Sequence, residues 1–91
     1  MENYNILGYL EDLAFRLGIE IVYEKMGEPD FNFEGGLCRV KGVYKIFINP
    51  AAPLTVQIEI LARALSSFRT DELYLLPRIR EILEKARKPV E

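Results

Sequence analysis

Ninety-one residues, 49% of them apolar and 29% charged, with a net charge of −2, fit one globular domain spanning residues 1–91. That length exceeds the roughly 70–80 residues below which a core needs a metal or disulfide staple. The charge balance excludes a chain drawn as a whole to nucleic acid or to an anionic membrane, and its apolar runs fall far short of the ~20 residues of a membrane span. The stretch MENYNILGYLEDLAF carries acids where an export signal needs bases, and one cysteine cannot form an internal disulfide. A cytoplasmic location is therefore expected.

The charges are unevenly spread. Residues 1–36 hold eight acids and two bases (−6), whereas residues 37–91 hold six acids and ten bases (+4). Either the two parts pack together and neutralise each other, or the second part builds a basic surface.

Ile6, Leu10, Leu13 and Leu17 recur at helical spacing and predict a first helix. Asn3 or Asn5 is expected to cap it, and Gly18 to end it in the left-handed conformation. In IEIVYE, Ile19, Ile21 and Tyr23 alternate with Glu20, Val22 and Glu24, the period of a half-buried strand. KMGEPDFNFEGG then breaks all periodicity and reads as a long loop. Asp30 to Gly35 loosely matches a calcium loop, but the twelfth position is Lys41 instead of glutamate and no helix precedes it, so calcium is rejected.

GLCRVKGVYKIFIN predicts a hairpin. A two-residue turn at Lys41 and Gly42 puts Cys38 on the face of Lys45. A three-residue loop over Val40 to Gly42 puts Cys38 beside Tyr44, Ile46 and Ile48. The second register groups apolar with apolar and is preferred, leaving Arg39, Lys45 and Phe47 pointing outward. Pro50 and Pro53 mark the boundary of a second helix, with Pro53 in its first turn. Its main stripe is Leu54, Ile58, Leu61, Leu65 and Phe68, flanked by Val56, Ile60 and Ala64. Glu59 and Arg63 can pair on its exposed side. After a turn that Thr70 could cap, Pro77 opens a last helix with an inner stripe of Ile79, Ile82, Leu83 and Ala86. Glu81–Lys85 and Glu84–Lys88 have favourable pairing offsets, and Lys85, Arg87 and Lys88 suit the carboxyl end of the helix dipole. The expected fold is α+β: a helix, a three-stranded antiparallel sheet made of a strand and a hairpin, then two helices on one face.

No catalytic constellation emerges. A nucleophilic cysteine needs a base, and the chain has no histidine; Cys38 is read as a buried structural residue. Metal and cofactor sites are expected to be absent. The order of elements resembles small zincin metallopeptidases of the ImmA/IrrE group, through the hairpin ending in IFIN, the proline-started helix and LYLLP. That family carries an HExxH zinc motif on this helix. Here Ala62, Arg63 and Ser66 occupy the three working positions, or in the next frame Arg63, Ala64 and Ser67. Neither set ligates zinc, so the resemblance implies a metal-free, inactive relative. The strings GGLCR, ILARAL and YLLP also resemble small bacterial proteins with no assigned activity.

The remaining candidate is the outward hairpin face: Arg39, Val43, Lys45 and Phe47, with Lys41 at the tip and Val22 on the neighbouring strand. An apolar patch ringed by charge suits a protein partner or a homodimer. Bases interleaved with an aromatic also suit RNA, although the overall acidity opposes it. A third alternative is burial of Val43 and Phe47 under the last helix or the long loop. The expected function is non-catalytic protein binding or self-association.

Overall fold

A computed structural model describes residues 2–25 and 35–87. The elements run α1 (Asn3–Arg16), β1 (Glu20–Tyr23), β2 (Gly35–Val40), β3 (Val43–Ile48), α2 (Leu54–Leu65) and α3 (Pro77–Ala86). The expected α+β order holds. The calcium-like stretch and most of the predicted loop lie outside the described residues.

The first helix buries Ile6, Leu10, Leu13 and Ala14. Its start differs from expectation: Glu2 occupies the cap without a side-chain bond, which places Asn3 and Asn5 inside the first turn. Its end is as expected. Gly18 adopts φ +78°, its amide donates to Phe15 O, and the Ile19 amide donates to Ala14 O at 2.9 Å. This pair of bonds turns the chain straight into β1.

The sheet is mixed, not purely antiparallel. Its order is β1-β3-β2, with β1 parallel to β3 and β2 antiparallel to β3. The expectation assumed that strands adjacent in sequence pair in space. Tyr23 at the end of β1 and Gly35 at the start of β2 instead lie on either side of Ile48, two strand spacings of about 4.8 Å apart. The hairpin can then fold back so that its second strand takes the central place. Because β2 runs opposite to β1, the returning β3 is parallel to it.

Ile46 and Ile48 on β3 are fully buried and share one core with Leu10, Leu13, Leu61, Leu65, Ile79 and Leu83 from the three helices. Burying each such side chain contributes about 1.5–3 kcal/mol, so this layer holds the fold together. Gln57 secures the β3–α2 connection, donating from Nε2 to Ala52 O at 2.9 Å and to Pro50 O at 3.3 Å. Pro53 is the amino-terminal cap of α2, just outside its first turn.

The second helix stops at Leu65, short of Phe68. The Ser66 and Ser67 hydroxyls donate back to Arg63 O and Ala64 O at 2.8 and 2.7 Å, a local alternative to continuing the helical ladder. Phe68 instead meets Tyr44 edge-on at 5.0 Å between ring centres. Arg87 crosses to this end, donating from Nε to Ser66 O at 2.7 Å and from Nη2 to Phe68 O at 3.4 Å. Its charge therefore serves the carbonyl end of α2. The ion pairs found among the described residues do not include Glu59–Arg63 or Glu81–Lys85; Glu81 pairs with Arg78 at 2.7 Å. Lys88 lies outside the described residues.

Candidate interface on the outer sheet face

The hairpin turn decides which side chains share a face. Lys41 and Gly42 both take positive φ, +52° and +81°, the signature of a two-residue type I′ turn. Val40 therefore faces Val43, Arg39 faces Tyr44, Cys38 faces Lys45 and Leu37 faces Ile46. This is the register the sequence reading set aside. Tight turn geometry outweighed the grouping of apolar with apolar, and the two β-branched valines that close the turn were the available signal.

Two expectations change with the register. Cys38 is exposed and shares the outer face with Lys45 instead of entering the core. Arg39 moves to the helix side, where its guanidinium lies over the Tyr44 ring at 5.4 Å. The other predicted residues stand as expected: Val43, Lys45 and Phe47 alternate away from the buried Ile46 and Ile48. Val22 pairs with Phe47 across the parallel ladder and joins the same face, while Lys41 sits at the turn tip. The three bases Arg39, Lys41 and Lys45 thus belong to different surfaces and do not form one anion-binding track.

The outer face is a valine and phenylalanine patch with one charge pair. Val40 and Val43 are 38% and 45% exposed, among the largest exposures of apolar side chains in the sheet; Val22 and Phe47 are half-buried. Lys45 Nζ lies 3.5 Å from the Glu20 carboxylate on β1. Val40 and Cys38 join this face through the two-residue hairpin register, and Glu20 joins it because β1 pairs with β3, an adjacency the sequence does not record. Among the described residues, no part of α3 is recorded against the sheet, so that helix does not cover the patch.

The inner side of β1 is tied down differently. The Tyr23 hydroxyl donates to Glu11 of α1. Burial first, then that hydrogen bond and the Glu11 charge, push its ionisation well above the ordinary tyrosine range.

The helix expected to resemble a zinc site presents Ala62 buried, Arg63 exposed and Ser66 buried. Ala62 and Arg63 line a groove between α2 and α3 with Ile58, Glu59, Ile82, Lys85 and Ala86. No cluster of three or more histidine, cysteine or acidic residues suited to a metal occurs among the described residues. No helix of the described residues is long and apolar enough to cross a membrane. Comparisons with protein-family models, with curated proteins and with solved structures find no match to this chain.

Proposed function

We propose that this chain is a non-catalytic binding domain that self-associates through the outer face of its sheet. The observation that supports this reading is the patch of Val22, Val40, Val43 and Phe47 lying opposite the helix layer. Its charges favour a second copy as the occupant. An interface about a two-fold axis must be complementary to itself, and this face carries one base and one acid, Lys45 and Glu20, beside its apolar centre. Two such faces can exchange these partners while their valines and phenylalanines meet. The non-catalytic part of the reading rests on the absence of any imidazole from the sequence.

Phe47→Asp tests the proposal. The substitution places a charge on the outer face without touching Ile46 or Ile48, so cooperative unfolding is expected to persist while the sedimenting mass falls. A wild-type chain that sediments as a monomer up to about millimolar concentration, a weak-affinity limit of roughly −4 kcal/mol, removes the proposal.

A further inference from the structure

The outer face alone is small for a stable interface. Three strands spaced about 4.8 Å apart and six residues rising about 3.3 Å each give a footprint of about 300 Å². A standard interface takes roughly 800 Å² of accessible surface from each partner. Something must enlarge the face if it is to hold another molecule firmly, and the edge of β2, unpaired among the described residues, can do so.

The two sheet edges differ. The β1 edge is four residues long, with Glu20 engaged by Lys45 and Tyr23 engaged by Glu11. The β2 edge is six residues long, contains no proline, and is exposed from Leu37 to Val40. Its backbone groups follow from the turn. Val40 and Val43 close a two-residue hairpin and so exchange both hydrogen bonds, as do Cys38 with Lys45 and Gly36 with Phe47 by alternation. The amide and carbonyl groups of Leu37 and Arg39 then point away from β3. Among the described residues no backbone partner meets them on that side. An unprotected row of this kind is a template for another strand.

We propose that two copies of this chain join along β2, antiparallel about a two-fold axis at Cys38, so that two three-stranded sheets become one of six strands. The inference rests on the outer-face reading and deepens it, because the joined sheet doubles the face through which one such pair meets a second pair. Antiparallel pairing must set outward-pointing residues against each other, which confines the axis to Leu37, Cys38 or Arg39. An axis at Arg39 opposes the two guanidinium groups. An axis at Leu37 draws in Gly35, whose φ of +148° departs from strand geometry. The axis at Cys38 uses Gly36 to Val40, pairs Leu37 with the partner's Arg39, and brings the two Cys38 residues face to face. Their Cα atoms then lie about 4.5 Å apart, the spacing of a non-hydrogen-bonded pair and within disulfide range.

Amide hydrogen exchange on the full chain at low and high concentration tests this pairing. The Leu37 and Arg39 amides should slow at least tenfold as concentration rises, while Gly36, Cys38 and Val40, already bonded to β3, change little. Diamide, which takes two electrons and two protons from a thiol pair, should give a disulfide-linked dimer through Cys38. Leu37 and Arg39 amides that exchange at a concentration-independent rate overturn the pairing, whatever the sedimenting mass. Protected amides without the disulfide overturn the axis at Cys38. The same measurements on Phe47→Asp separate the two ideas: protection that persists while the mass falls supports both, and protection with unchanged mass leaves the edge standing and removes the face.

Discussion

The two faces of β3 are six residues of one strand with opposite fates. On one face Ile46 and Ile48 have no solvent exposure and belong to the same buried core as leucines from all three helices. On the other, Val43, Lys45 and Phe47 remain partly open. The contrast shows that hydrophobicity alone does not assign a face here, since valine and phenylalanine stand on the open side. What assigns it is where the helices are attached.

The largest expected effect breaks the inner face. Ile46→Ala should lower unfolding stability by about 2–5 kcal/mol in urea titration, because a fully enclosed site cannot collapse around the lost methyl groups. A loss below about 1 kcal/mol would mean that the inner layer does not hold the fold together. Gly35→Ala comes next. A side chain there must hold a positive φ, costing about 1–3 kcal/mol, and its Cβ would fall on the Phe47 carbonyl oxygen. It should destabilise the start of β2 while leaving α3 and its packing intact, as amide exchange can resolve.

The outer face should yield far less. Phe47→Asp is expected to change monomer stability by less than about 1 kcal/mol, so a loss as large as that of Ile46→Ala would mean that this face is buried within one chain. The smallest effect sharpens the comparison from β1. Tyr23 ionises above the ordinary tyrosine range when folded, so the unfolded chain loses that proton first, from about pH 10 upward. Stability tied to Tyr23 is therefore full below that pH and declines as pH rises further. Tyr23→Phe should remove this alkaline decline in thermal unfolding; an unchanged alkaline limb would assign it to other groups.

Much of the fold was legible. Helical spacing located all three helices, and Gly18 marked the end of the first because left-handed backbone suits glycine. Alternation along β3 was read correctly, and with it the outward placement of Val43, Lys45 and Phe47. The errors gather at β2. Cys38 and Arg39 were assigned to each other's faces because a shift of one residue in a hairpin loop moves every side chain of a strand to the opposite side. The central position of β3 was also missed, since pairing between strands is a long-range choice that no local period records.

Residue types and their spacing thus determined which segments are helices and strands, and that no imidazole is present for chemistry. These are local properties, fixed by side-chain sterics and by burial along one axis. Only the tertiary structure decided that β1 runs parallel to β3 and that Arg87 closes the end of α2. Each of these depends on two distant parts of the chain competing for one place, and the outcome is set by the packing of the whole.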